Sequence, residues 1–151
     1  MAVPVIRVAS PSDVPALAAL RRAAAAERDG GLPDDGFEER FAAWYERESG
    51  SRVTWLAEVA GVPVGLMSLA VFERMPRPGR DSGRWGYLGN AFVQPAHRDR
   101  GIGSLLLAAV LAYADQRGFA RVVLSPSERS APLYQRAGFG PADALLLRPG
   151  G

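Results

Sequence analysis

The pattern of apolar and polar positions in the first fifty residues predicts one strand followed by two helices. Residues 3–8 are apolar enough for a short strand. Ser10, Pro11 and Asp13 are then typical of a helix start, with a capping serine, a proline at the first helical position and a carboxylate that reaches back. A stripe at helical spacing predicts a first helix that ends at Gly30.

A second helix is predicted by four aromatic residues that helical spacing places on one face, namely Phe37, Phe41, Trp44 and Tyr45. Such a stripe is typical of a core face, and the wall of a binding pocket is the alternative.

The rest of the chain predicts three strands followed by alternating helices and strands. Two apolar runs flank Ala60 and Gly61, which predicts an antiparallel hairpin of residues 52–59 and 62–72. Prolines and glycines in residues 75–83 predict a loop. The remaining predicted elements are a strand at 84–93, a helix at 101–117, a strand at 120–124, a short helix ending at Gly138 and a strand at 144–147. This order predicts an α/β fold in which helices cover a mixed sheet.

Composition narrows the classes of protein to be considered. With 151 residues, 48% of them hydrophobic and 23% charged, we expect one globular domain over residues 1–151. The chain has no cysteine and one histidine, His97, so disulfides, a cysteine nucleophile and a zinc site are not expected. No apolar run suggests a signal peptide or a membrane span, and we expect a cytoplasmic protein without a membrane partner.

Every one of the 18 cationic side chains is an arginine, yet 16 acidic residues leave a formal charge of only +2. The arginines are scattered and often neighbour an acid, whereas nucleic-acid-binding proteins concentrate positive charge in runs or on one face. Nucleic acid is therefore not the expected partner. Guanidinium groups gathered at one place favour an anionic small ligand instead.

One segment combines two arginines with two glycines between a predicted strand and a predicted helix. It consists of Arg98, Asp99, Arg100, Gly101, Ile102, Gly103 and Ser104. Amides at a helix start have no intrahelical partner, and glycine allows a bulky phosphate to approach them. A P-loop needs a lysine, which the chain lacks, and a dinucleotide fingerprint needs a third glycine where Leu106 stands. The alternative is a plain helix start with solvated arginines.

The sequence YLGNAFVQPAHRDRGIGSLLL around this segment resembles the acetyl-CoA-binding motif of the GNAT superfamily of N-acetyltransferases. Its core pattern is Gln or Arg, two residues, Gly, one residue, and then Gly or Ala, and Arg98, Gly101 and Gly103 fill it. About thirty residues later LYQRAGF resembles a second motif of the family, through Tyr134 and the Gly-Phe pair at 138–139. Two motifs in the right order are more specific than one.

The resemblance implies a central, mostly antiparallel sheet with a splayed pair of strands, flanked by about four helices. Acetyl-CoA would be the acyl-donor substrate, and no metal is implied. The backbone of Phe92 and Val93 would bind the pantetheine arm, and the amides of residues 98–104 would hold the pyrophosphate. The thioester would lie where the strands containing Phe92 and Val123 separate, with the acceptor entering from the opposite side.

The resemblance also assigns catalytic roles. Tyr134 would donate a proton to the departing thiolate. The carboxylate base that the family often carries in the strand before the coenzyme loop is absent, with Gly89 near its place. Glu73 and Asp81 are substitute candidates and Glu128 is a weaker one; otherwise an amine of lowered pKa loses its proton to water.

We therefore predict an N-acetyltransferase that acts on the primary amine of a small molecule or peptide. Without cysteine, direct attack in a ternary complex is favoured over an acyl-cysteine intermediate. The alternative is a non-catalytic acyl-CoA-binding sensor or scaffold of the same fold, which the missing strand carboxylate favours. The acceptor and the acyl length stay open, and pairing into a homodimer at the edge of the 144–147 strand is a further hypothesis.

Overall fold

A five-stranded sheet organises the protein, whose structure is a computed structural model that describes residues 2–80 and 83–151. The strands lie side by side in chain order. They are β1 (Val5–Val8), β2 (Arg52–Val59), β3 (Val62–Glu73), β4 (Arg84–Val93) and β5 (Val122–Leu124). The first four pair antiparallel and β5 joins β4 in parallel, which confirms the predicted mixed, mostly antiparallel sheet.

Helices cover both faces of the sheet, and each face has its own apolar core. They are α1 (Val14–Asp29), α2 (Phe37–Glu48), α3 (Ile102–Gln116) and α4 (Ala131–Arg136). On one face Leu17 and Leu20 of α1 pack with Leu56, Leu66 and Phe92 of the sheet. On the other face α3 and α4 pack against a larger core drawn from β2, β3 and β4.

The start of α1 follows the prediction in its details. A short 3-10 turn over Pro11–Asp13 precedes the helix, and the Asp13 carboxylate accepts a hydrogen bond from the Ser10 amide at 2.8 Å. The same carboxylate receives two bonds of 2.8 Å from the Arg7 guanidinium. Strand β1 and the first helix are thereby fixed to each other.

The strand predicted at residues 144–147 is not formed, and this prediction was wrong. Leu145, Leu146 and Leu147 are 42%, 101% and 90% exposed and lie in coil. An isolated strand gains little unless it pairs and buries a face. Strand β5 offers only three residues to pair with, and the three leucines lack the alternation with polar residues that would give them one buried face.

Among the described residues no helix is long and apolar enough to cross a bilayer.

Candidate active site

The sheet opens between β4 and β5. Their pairing covers only Gly86 to Val122, Tyr87 to Val123 and Leu88 to Leu124. Strand β4 continues for five more residues, to Val93, with only β3 as its partner in the described part of the chain. Beyond Leu88 its other edge therefore has no partner strand among the described residues, as expected for the strands that contain Phe92 and Val123.

A β-bulge sits in β4 directly after the opening begins. Ser68 of β3 pairs with Gly89 and Leu66 pairs with Phe92, so β4 has one residue more than its partner over this interval. Asn90 takes a positive φ of 55°, a conformation that asparagine tolerates better than most residues. The extra residue reverses the alternation of side chains. Leu88 thus packs on the α3 side, whereas Phe92 packs on the α1 side.

The start of α3 presents free backbone amides next to this opening. The first helical bond runs from the Leu105 amide to the Gly101 carbonyl at 3.0 Å, so the amides of residues 102–104 have no intrahelical partner. Asp99 and Gly101 both have positive φ, 60° and 82°, which curls the loop ahead of the helix. The helix dipole adds partial positive charge at this place, and together these features favour an anion.

Arg98 is engaged with the protein. Its Nε donates to the Val93 carbonyl at 2.9 Å, and its Nη2 lies 2.7 Å from the Glu27 carboxylate. Its guanidinium also lies over the Phe92 ring, 5.5 Å from the centroid. The Arg98 amide donates to the Pro95 carbonyl at 3.3 Å. Arg98 therefore ties the end of β4 to α1, and a direct phosphate contact by this residue stays a prediction.

Glu27 links three segments of this region. It accepts from Arg98, and its carboxylate lies 3.7 Å from Arg129 in the turn before α4. The hydrogen bond from Arg98 lowers the pKa of Glu27, so the carboxylate is charged at neutral pH. Sequence reasoning missed Glu27, because only the fold brings this residue of α1 to the loop before α3.

Tyr134 is buried in the core between α4, α3 and the sheet, 6% exposed. Its ring packs edge to face on Phe139 at 5.8 Å, so the two halves of the second motif stabilise each other. Within the described residues its hydroxyl makes no hydrogen bond. Burial raises the pKa of Tyr134, and the phenol therefore stays protonated at neutral pH.

A cavity of about 620 Å³ opens on the opposite face of the sheet, between α1, α2 and the strands. All four aromatic residues of α2 line it, while no residue of α2 is fully buried. The pocket-wall alternative thus describes this stripe better than a core face, although Phe41 and Tyr45 also contact the core. Thr54, Ser68 and Asn90 form the polar floor of the cavity, and Asn90 places this floor at the opening of the sheet.

The candidate carboxylates do not converge on this opening. Glu73 is at the far end of β3, where its exposed carboxylate lies 3.5 Å from Arg84. Leu69, the partner of Leu88, is four residues away, or about 13 Å along a strand. Glu128 is exposed in the turn before α4, and Asp81 lies outside the described residues. The base role of Glu73 stays a prediction without support from its position.

His97 is partly buried. It sits in a 3-10 turn over Pro95–His97, and its Nδ1 is enclosed without a hydrogen-bond partner among the described residues. Two serines brace the turn before α4, with the Ser127 and Ser130 hydroxyls 2.8 Å apart.

The sequence and the fold are similar to those of known acetyltransferases. Residues 17–139 match the sequence model of the family described as Acetyltransferase (GNAT) family. A GCN5-related N-acetyltransferase from Ralstonia eutropha JMP134 is 30% identical, with a TM-score of 0.73 over 97% of this chain and 98% of that one. A predicted acetyltransferase from Clostridium acetobutylicum, solved with acetyl-CoA, is 22% identical, with a TM-score of 0.78 over 97% of this chain and 96% of that one. The latter likeness shows the fold.

A curated relative carries a specific activity in its name. Glucosamine 6-phosphate N-acetyltransferase of Trypanosoma brucei brucei is 32% identical over 76 residues, which are 50% of this chain and 50% of the relative. The match therefore spans only half the length of that protein.

Proposed function

Because the chain belongs to the GNAT acetyltransferase family, we propose that it transfers the acetyl group of acetyl-CoA to a primary amine by direct attack in a ternary complex. One observation carries the proposal. The opening between β4 and β5 lies between a buried, protonated tyrosine on one face of the sheet and a cavity with a polar floor on the other.

The free amides at the start of α3 would hold the pyrophosphate of acetyl-CoA. The unpaired edge of β4 near Phe92 and Val93 would bind the pantetheine arm as a further strand would. Glu27 and Arg98 act as positioning residues here, since they fix the end of that strand against α1. The thioester would then lie in the gap of the sheet, within reach of both faces.

The reaction follows from these positions. The uncharged amine in the cavity attacks the thioester carbonyl, and a tetrahedral intermediate forms. As the carbon–sulfur bond breaks, Tyr134 gives its phenolic proton to the thiolate, and solvent returns a proton to the phenolate. The new ammonium loses its proton to water, since no Asp or Glu lines the cavity in the described ranges. The products are an acetamide and coenzyme A.

The test is a comparison of wild type with Tyr134→Phe, in which only the hydroxyl is lost. Thiol release from acetyl-CoA is followed with a panel of amines, and acetyl-CoA binding is measured by calorimetry. We expect kcat to fall roughly 100-fold or more while the Kd for acetyl-CoA stays unchanged, since general acid catalysis contributes about 10²–10⁴-fold. An unchanged kcat would remove Tyr134 from the mechanism.

A second variant tests the binding of acetyl-CoA separately from catalysis. Gly103 is at the start of α3, and its Cβ position lies 3.5 Å from Leu133. Tryptophan places a bulky side chain among the residues that carry the free amides, so Gly103→Trp should abolish acetyl-CoA binding, and its melting temperature must show that the variant is folded. A folded wild type that binds no acetyl-CoA would refute the acetyltransferase proposal as a whole. The cytoplasmic location stays a prediction, and so does the homodimer, although the 144–147 strand edge expected to pair is not formed.

A further inference from the structure

The charged residues that line the cavity between α1, α2 and the strands are all arginines in the described part of the chain. Three arginines of the helices line it, Arg21 of α1 together with Arg40 and Arg47 of α2. Among its lining residues in the described part of the chain there is no aspartate or glutamate. A polycationic acceptor would place its extra ammonium groups beside these guanidiniums, where like charges repel.

Two glutamates of α2 that do not line the cavity are paired with other arginines. Glu38 lies 2.6 Å from Arg22, and Glu48 lies 3.3 Å from Arg52. Their partners partly cancel the charge that they could offer to a cationic acceptor. These pairs leave the positive sign of the cavity wall unchanged.

Two of the three lining arginines are available to a ligand. Arg40 is bound to Asp34, with Nη2 to Oδ2 at 2.7 Å. Arg21 and Arg47 have no carboxylate within 4 Å in the ranges that the structure describes. A guanidinium without a partner is suited to bidentate recognition of a carboxylate or phosphate.

The remaining surface of the cavity separates into two parts. The helices supply an apolar wall that includes Phe37, Phe41 and Trp44, and the sheet supplies the hydroxyl and amide groups of its floor. A volume of about 620 Å³ is within the range of cavities that enclose a small molecule. An amine directed at the floor would thus have its apolar body against the helices.

From these observations we infer that the acceptor is an amine that also carries an anionic group, a carboxylate or a phosphate, on an apolar or aromatic body. Arg21 and Arg47 bind the anionic group, and the amine points to the opening of the sheet near Asn90. This inference rests on the proposed acetyltransferase function and names the class of its acceptor.

The first test uses amines that differ only by the anionic group. Phenylalanine is compared with phenethylamine, tryptophan with tryptamine, and glucosamine 6-phosphate with glucosamine, each with acetyl-CoA in a thiol-release assay. Spermidine and kanamycin serve as polycations. We expect kcat/KM to be at least about tenfold higher for the anionic member of a pair, the factor of one charge-assisted contact. The amino acids and the sugar phosphate distinguish carboxylate from phosphate recognition.

The second test removes the two guanidiniums one at a time. Arg21→Gln and Arg47→Gln should abolish the preference within a pair by raising KM for the anionic amine, with little change for its neutral partner. Arg28→Gln is the matched control, because Arg28 is an exposed arginine of the same helix as Arg21 and does not line the cavity. Melting temperatures verify that each variant is folded.

The possible outcomes are distinguishable. Equal rates within every pair, or a preference for spermidine or kanamycin, would overturn the inference while leaving the acetyltransferase function intact. A preference that survives both arginine variants would overturn the assignment of Arg21 and Arg47. Failure to bind acetyl-CoA at all would instead refute the proposed function itself.

Discussion

Replacing Gly101 tests whether the strained backbone before α3 is needed for acetyl-CoA binding. The test compares the loss of stability with the loss of affinity. Gly101 caps α3 with φ 82° and ψ 5°, a left-handed conformation. No atom lies within 4 Å of the position that a Cβ would occupy, so alanine meets no clash in the free protein. The cost of Gly101→Ala is therefore conformational, about 1–2 kcal/mol for an L-residue in this region.

That cost must be paid in one of two ways. If the loop keeps its conformation, the free energy of unfolding falls by about 1–2 kcal/mol, which lowers the Tm by roughly 2–8 °C in a domain of this size. If the loop relaxes instead, stability is kept, but binding must restore the strained form and the Kd for acetyl-CoA rises about 5–30-fold. In either case the loss of unfolding free energy and the loss of binding free energy should add up to the conformational cost of the substitution.

Gly103→Ala is the matched control, two residues further along. Gly103 is helical, and an added Cβ would make an ordinary contact with Leu133 at 3.5 Å. Alanine is also the better helix former, so stability should stay equal or increase. The family pattern that this segment resembles accepts alanine at the same place, and we expect acetyl-CoA binding to survive.

The assay combines urea unfolding with calorimetric titration of acetyl-CoA for the three proteins. A Gly101→Ala variant that loses neither stability nor affinity would refute the reasoning, because the left-handed conformation would then carry no cost. Equal losses in Gly103→Ala would show that the loop tolerates no side chain at all, irrespective of backbone conformation.

Three further outcomes are expected from the ionisable groups. Burial raises the pKa of Tyr134, so kcat should not decline on the alkaline side below the ordinary tyrosine value of about 10, and a decline that begins near pH 8 would contradict its role as acid. Glu73→Gln should leave kcat/KM within about twofold, as for other exposed residues, and a large loss would restore Glu73 as the base. Hydrogen bonds from Arg7 and the Ser10 amide hold the pKa of Asp13 far below its usual value, so its stabilisation is present above about pH 4 and is lost as the pH falls further. Asp13→Asn should therefore lower the free energy of urea unfolding at pH 7 by about 1 kcal/mol, with a smaller difference at pH 3, and a difference independent of pH would contradict this.

The local structure of the segment proposed to bind the acyl donor could be predicted because local rules specify it. A helix start with two glycines presents amides wherever it occurs, and the backbone at Gly101 needs no distant partner to adopt its conformation. Tyr134 and Phe139 are close in sequence and pack on each other. Patterns of this kind can be recognised in a sequence without knowledge of the fold.

The acceptor side could not be predicted to the same depth, because tertiary contacts create it. Asn90 reaches the cavity only through the bulge in β4, and a glycine followed by asparagine inside a strand was the one local sign of it. Arg21 and Arg47 come from different helices and read as two solvated charges until the fold places them on one cavity. The 144–147 strand failed for a related reason, since its existence depends on a partner that apolar residues alone do not indicate.

In the described residues the cavity wall carries three arginines and no carboxylate, and these two features affect the acceptor amine together. The anionic group of the proposed acceptor favours the protonated form of its amine, and the guanidiniums of Arg21 and Arg47 offset this charge, which increases the fraction of acceptor that can attack. The same groups bind the anionic end of the acceptor and orient it, which supplies catalysis by positioning. Their removal should therefore raise the pKa of the bound amine and move the acid limb of the kcat profile to higher pH. An acid limb that stays in place in both variants would mean that the arginines bind the acceptor without easing its deprotonation.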